Sequence, residues 1–261
     1  MESWNRAEQP VEVRRNNWNF RLAPCIPVEA FRRLLPRLDS LLEQAETLKN
    51  SRTTTAAIVN LPDCGTVFLK RTNNKGILFT LRYLFRRARA FRAAECSNAL
   101  VRAGIETPAV LAVGEFRKGG FFLRSGYLIN EARENAENVH LLLANAAEPE
   151  QMLVHLLEAI LPMLSRMHSE GVVHGDCKLS NLYLTPEGRA GTWDLDGGAV
   201  IRPPCRRRIF ADLVRFLSSI RSVYPGSLDE KTLCRSVADR YSGPVRFSAE
   251  ELAEGLRRSR K

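Results

Sequence analysis

No apolar run in the sequence approaches the roughly 18 residues that a membrane-spanning helix needs, so no such helix is expected within it. The six cysteines, at positions 25, 64, 96, 177, 205 and 234, form no C-x-x-C pair. That spacing argues against a zinc site and against a disulfide framework. Acidic residues are scarce beside basic ones: 29 against 39 give a net charge of +10. This disfavours cationic ligands and points to an anionic partner, whether nucleic acid, a phospholipid surface or a phosphorylated saccharide. Repeats and low-complexity tracts are absent. The opening residues lack the basic-then-apolar order of a secretory signal, and the expected location is the cytoplasm.

What remains is an ordinary globular composition, 44% apolar and 26% charged over 261 residues. That is enough chain for one large lobe or two small ones. Residues 1–27 are polar, with Trp4, Trp18 and Phe20, and read as an irregular extension. Over residues 27–48, Phe31, Leu34, Leu35, Leu38, Leu41 and Leu42 fall at helical spacing, interrupted by Pro36. Strands are expected at 45–49, 56–61 and 66–71. The intervening loop 50–55 is rich in hydroxyls and Arg52 but has no glycine.

Lys70 ends the apolar strand Val67-Phe68-Leu69. A lysine buried there needs a carboxylate partner. Glu95, on a helix expected over 78–103, is the first acid after Asp63. The same region carries Lys70, Arg71, Lys75, Arg82, Arg86, Arg87, Arg89 and Arg92. Arg82, Arg86 and Arg89 share a helical stripe, which is either a solvated face or a docking surface for phosphates. Beyond Gly104, a hairpin is expected over 109–117 and 120–123, then an edge strand at 127–131. Helices follow near 140–143, over 152–168 and over 210–223, with two short ones to the end.

One run stands out: His174-Gly175-Asp176-Cys177-Lys178-Leu179-Ser180-Asn181, a hairpin across Pro186-Glu187-Gly188, then Asp194-Leu195-Asp196. Phosphoryl transfer needs an ionised carboxylate beside the attacking hydroxyl and oxygen ligands for Mg²⁺. The pattern H-x-D-x-x-x-x-N followed by a second Asp supplies both. Lys178 places a cation within reach of the transferring phosphoryl group. Cys177 reads as a small space-filling residue.

With these residues in place the chain resembles the protein-kinase-like fold. More narrowly, it resembles the lipopolysaccharide core kinases of Gram-negative bacteria, the Kdo kinase and heptose kinase family. The match rests on the His174–Asn181 loop, Asp194-Leu195-Asp196, the Arg-rich stretch before Glu95, the passage 104–108, and Asp212-Leu213. The resemblance implies an α+β, two-lobed fold. Residues 1–44 would form an extension, 45–130 an N-lobe of antiparallel sheet with one helix, and 131–261 a mainly helical C-lobe. Only seventeen residues separate Asp194 from Asp212, too few for a long activation segment.

By the same resemblance Asp176 would take the hydroxyl proton, and Asn181 and Asp194 would hold Mg²⁺. Lys178 would meet the γ-phosphate, and Lys70, positioned by Glu95, the other phosphates of ATP. Asp212 would brace the catalytic loop. Asp196 would cap the following turn or assist a second metal ion. The implied acceptor is a sugar hydroxyl of the lipopolysaccharide core or another anionic glycolipid, met at the inner-membrane face, with no nucleic acid partner. The rivals are an atypical protein kinase or small-molecule kinase of the same fold, and a nucleotide-binding scaffold with a basic face.

Overall fold

The computed structural model describes residues 10–61, 65–73, 87–133, 135–224 and 227–259. The chain divides into two compact units, one of residues 1–98 and 108–133, the other of 99–107 and 134–261. This is the mixed α+β, two-lobed architecture that the sequence implied, with changes confined to the first unit.

The first unit is built on a seven-stranded sheet in the order β1-β2-β6-β7-β5-β4-β3. The strands are β1 (Val11–Arg15), β2 (Trp18–Leu22), β3 (Thr47–Asn50), β4 (Thr54–Leu61), β5 (Gly65–Asn73), β6 (Val110–Lys118) and β7 (Phe122–Glu131). Every neighbouring pair is antiparallel. Helices α1 (Val28–Leu34) and α2 (Leu38–Gln44) cover one face, with a single 3₁₀ turn at Pro36 between them. Phe20, Leu22, Phe31, Leu38, Leu42, Val67, Leu69, Tyr127 and Ile129 form the core beneath them. Helix α3 (Arg89–Arg102) follows.

The stretch 1–27, expected to be irregular, therefore holds two strands. Val13, Phe20 and Leu22 alternate into the core while arginines point outward. Asn16 takes the left-handed turn between the strands at φ 52°, a conformation asparagine tolerates. The described part of the expected 1–44 extension, residues 10–44, is thus part of this unit. The expected edge strand at 127–131 is the end of β7, which lies inside the sheet between β6 and β5. Tyr127, Leu128 and Ile129 are all buried there, as an inner strand requires.

The second unit is mainly helical. It contains β8 (Glu137–Asn138), α4 (Val139–Ala144), α5 (Pro149–Ser169), β9 (Val172–Val173), β10 (Leu182–Leu184), β11 (Ala190–Thr192) and β12 (Ala199–Val200). Helices α6 (Arg206–Val223), α7 (Glu230–Arg240) and α8 (Ala249–Arg258) complete it. Ser248 and Glu251 cap α8 reciprocally. The short strands make two small sheets, β11-β10-β8 and β12-β9. Among the described residues no helix is long and apolar enough to cross a membrane.

Candidate active site

Four of the six sequence-predicted site residues lie together in the second unit. The local sequence explains how. Gly171, Val172 and Val173 lead out of α5 into β9, and residues 174–181 form a loop that closes in a 3₁₀ turn, Leu179–Asn181. The β10–β11 hairpin then pairs Leu182 with Thr192 and returns the chain to the loop. There Trp193 N donates to Asn181 O at 3.1 Å and Thr192 Oγ1 to the same oxygen at 3.0 Å. The Trp193 indole N–H donates to Ser180 O at 3.0 Å, and its ring stacks on Tyr183 at 4.8 Å. Asp194, the next residue, is thereby fixed beside Asn181.

Asp176 is the hub. Lys178 Nζ lies 3.0 Å from its Oδ2, and Arg215 Nε lies 3.0 Å from its Oδ1. Asn181 Nδ2 donates to the Asp176 carbonyl at 2.9 Å and to its Oδ2 at 3.2 Å. Burial alone would raise the Asp176 carboxyl. The hydrogen bonds and charges of Lys178 and Arg215 together outweigh it and hold the group below the ordinary carboxylate range. It is an anion at neutral pH. Cys177 is fully buried, and burial pushes its thiol well up, which makes it inert packing.

The loop is braced from α6. Asp212, 2% exposed, accepts from His174 N at 2.6 Å and from Gly175 N at 2.8 Å. His168 Nε2 lies 3.3 Å from the same carboxylate, and its Nδ1 lies 2.8 Å from Tyr241 Oη. A carboxylate only accepts, so Nε2 donates to Asp212, and in the neutral imidazole Tyr241 then donates to Nδ1. Ser219 Oγ accepts from Leu179 N at 2.9 Å. His174 is buried, and burial, acting against the nearby Asp212, Asp194 and Asp176 charges, lowers its pKa.

Asp194 adopts the left-handed region at φ 57° and ψ 55°. A non-glycine residue there carries roughly 1–2 kcal/mol of strain, and such positions cluster at functional sites. The chain then turns through Leu195–Gly197 and pairs β12 with β9. Eleven residues separate Asp194 from the start of α6, so the expected absence of a long activation segment holds.

A divalent cation fits the donor set. The Asn181 amide nitrogen is committed to Asp176, which leaves its Oδ1 without a hydrogen bond among the described residues. With the Asp194 carboxylate it offers two hard oxygen donors, the number a nucleotide-bound Mg²⁺ takes from protein. Among the described residues no group of three or more His, Cys, Asp or Glu side chains is placed to hold a metal ion. The donor set is thus unlike that of an all-protein metal cage.

The other two predicted residues, Lys70 and Glu95, belong to the first unit. Lys70 is 5% exposed in β5, opposite Ala56 and Leu128. Its neighbours in the strand, Val67 and Leu69, face α1 and α2, so alternation sends Lys70 to the other face. Glu95 is exposed, and no ion pair joins it to Lys70 among the described residues. Ala90, Phe91, Ala93, Ala94, Cys96, Ser97 and Leu100 fill the buried side of α3, which turns residue 95 outward with Arg89 and Arg92. Charge-removing changes at Lys70 and Glu95 are therefore expected to multiply independently in kcat/KM. A double variant no worse than Lys70→Met alone would show that the two act as one unit.

A buried acid missed in the sequence does organise this region. Glu115, 4% exposed, accepts from Ala88 N at 3.0 Å and from Arg117 Nε at 2.9 Å, tying the start of α3 to β6. Of the expected basic region, Lys75, Arg82 and Arg86 lie outside the described residues, which leaves Arg89 of the three stripe arginines, exposed on α3. Arg71 is held by Asp39 at 2.8 Å, and Arg87 lies over the Phe91 ring at 5.3 Å. The glycine-free loop 50–55 is a tight turn, with Ser51 N donating to Thr54 O at 2.8 Å.

A family model described as the lipopolysaccharide kinase (Kdo/WaaP) family matches residues 41–234. The chain is 35% identical over 120 residues to the EKC/KEOPS complex subunit bud32 of Aspergillus fumigatus, covering 40% of this chain and 43% of that protein. It is 32% identical over 124 residues to the 3-deoxy-D-manno-octulosonic acid kinase of Xylella fastidiosa, covering 47% of each. The bud32 subunit of Aspergillus clavatus is 31% identical over 128 residues, covering 40% of this chain and 44% of that protein. The chain thus spans less than half the length of each of these relatives.

Proposed function

The chain belongs to the lipopolysaccharide kinase (Kdo/WaaP) family, and from that premise we propose that it transfers the γ-phosphate of ATP to a sugar hydroxyl of the lipopolysaccharide inner core, on a heptose or a 3-deoxy-octulosonic acid. The observation that carries this reading is the convergence of Asp176, Lys178, Asn181 and Asp194 on one loop braced by Asp212. Asp176, ionised and anchored through both oxygens, aligns the acceptor hydroxyl and takes its proton. Lys178 lies close enough to meet the negative charge that spreads over the transferring phosphoryl oxygens. Asn181 Oδ1 and Asp194 would hold Mg²⁺, which when bound neutralises the nucleotide phosphates. Lys70 is assigned to the remaining ATP phosphates through the family resemblance.

A second reading is an atypical kinase of the same fold, to which the similarity to the two bud32 subunits points, with a protein as its acceptor. Against it, the segment after Asp194 is short and committed to the β12–β9 pair, which leaves little chain on which to dock a peptide. Purified protein should consume ATP only with Mg²⁺ and faster when core oligosaccharide is added. Acceptor-independent turnover, or phosphate appearing on protein, would move the assignment to the second reading. Nucleotide binding without turnover would reduce the chain to a scaffold.

Contact with the inner-membrane face belongs to the same proposal. The β6–β7 tip presents Phe121 and Phe122, 70% and 50% exposed, between the exposed Lys118 and Arg124. Arg117 Nη1 donates to Phe121 O at 2.8 Å and anchors the tip to the sheet through Glu115. Aromatic side chains beside cations suit an anionic lipid surface. Changing both phenylalanines to Ser should lower partitioning onto anionic phospholipid vesicles at least about tenfold, since burying one Phe contributes roughly 1.5–3 kcal/mol. Undiminished partitioning would place the membrane contact elsewhere.

A further inference from the structure

The Asp176 carboxylate lies between two cations, Lys178 on one oxygen and Arg215 on the other, each at 3.0 Å. One counter-ion is enough to balance one carboxylate, and Asp176 has two, so the second cation is not needed for charge balance on Asp176 alone. Lys178 sits in the loop and is assigned to the phosphoryl group. Arg215 comes from α6, three residues after Asp212, and its side chain is 54% exposed. Only its Nε touches Asp176. The two terminal nitrogens make no hydrogen bond or ion pair among the described residues. An exposed planar fork of N–H donors thus stands beside Asp176 Oδ1.

Geometry then limits what meets that fork. An acceptor hydroxyl must come within about 2.6–3.2 Å of Asp176 for its proton to transfer. A substituent on the side of the sugar that faces Asp176 Oδ1 is then brought near Arg215. A guanidinium pairs best with a planar two-oxygen anion, which it grips with parallel hydrogen bonds; an ammonium cannot reproduce this. An octulosonic acid carries such a group, a carboxylate, whereas a heptose does not.

We infer that Arg215 binds the carboxylate of an acidic acceptor sugar and sets the preference for it over neutral sugars. This rests on the sugar-kinase reading above and narrows its substrate class. Arg215 is then a specificity-determining residue whose Nε also steadies Asp176.

The test uses the full-length chain, Mg-ATP and two acceptors: a glycoside of 3-deoxy-octulosonic acid and its methyl ester. The wild type should show an acceptor KM at least about tenfold higher for the ester, with KM for ATP within about twofold. Arg215→Gln should raise KM for the acid by a similar factor and no longer distinguish acid from ester. Arg215→Lys should recover only part of the preference. A residue that merely steadies Asp176 would behave otherwise: Arg215→Gln would lower kcat on both acceptors and leave the acid preference intact, which overturns the inference. Equal KM values for acid and ester in the wild type overturn it too, without reliance on any variant. No transfer to either sugar by the wild type removes the premise itself, a failure distinct from the other two.

Discussion

Asp194→Asn is expected to abolish phosphate transfer, by at least about a thousandfold, together with Mg²⁺-dependent nucleotide binding. Asparagine is the informative replacement because it tolerates the left-handed conformation that Asp194 holds at φ 57°. The backbone turn therefore stays, and only the charge is lost. Asp196→Asn should leave turnover within about tenfold of the wild type. Asp194 follows directly on Trp193, whose backbone is hydrogen-bonded to Asn181, whereas Asp196 sits within the 3₁₀ turn beyond it. Buried Leu195, 5% exposed, packs that turn down. Titrating Mg²⁺ against both variants with a non-hydrolysable ATP analogue gives the readout. If Asp196→Asn loses metal dependence and Asp194→Asn keeps it, the ligand has been assigned to the wrong acid.

Gly175→Ala should be nearly as damaging by a different route. Gly175 has φ +77°, and a Cβ built on it would stand 2.1 Å from Gly197 O. The loop bearing Asp176 and the turn after Asp194 touch backbone to backbone at this point, so any side chain pushes them apart. The expected loss is at least about a hundredfold in kcat, because positioning dominates this chemistry. The fold should survive with a stability cost of about 1–3 kcal/mol, seen as a Tm lower by several degrees. Gly188→Ala is the control: its φ is +76°, yet nothing lies within 4 Å of the added carbon. It should show a small stability loss and unchanged kcat. Equal activity losses in the two variants would mean that backbone strain, not the close approach at Gly197, is responsible.

The course of the Asp176–Asn181 loop and its hairpin was legible because its spacing is set by short-range geometry. A fixed count from Asp176 to Asn181, a Pro-Glu-Gly turn and a hairpin of matched length leave one place for Asp194, and Leu182 duly pairs with Thr192. Asp212 was legible as a brace only through the family resemblance, and it does accept from His174 N and Gly175 N. Arg215 and Ser219 were not, although their offsets from Asp212, three and seven residues, put all three on one face of α6. A polar residue at such a position looks like solvent-facing helix until the loop it meets is known.

Elsewhere the pattern misled or was too short to decide. Strands β1 and β2 bury only Val13, Phe20 and Leu22, too brief an alternation to stand out among arginines and asparagines. Glu95 was the one acid within reach along the sequence, but α3 has alanine at 90, 93, 94 and 99. Small residues give weak contrast between faces, so the helix register could not be read. Glu115, which does anchor the start of α3, comes from a strand twenty-seven residues beyond Ala88, a separation over which sequence pattern carries no signal.

Mass spectrometry of an inner-core acceptor after incubation with the protein and Mg-ATP decides whether the loop of Asp176, Lys178, Asn181 and Asp194 is a sugar kinase site. A single added phosphate on the sugar, lost when Mg²⁺ is chelated and lost again in Asp176→Asn, is the expected result. Phosphate added at the same rate by Asp176→Asn, or found on protein while the sugar stays unmodified, would contradict it.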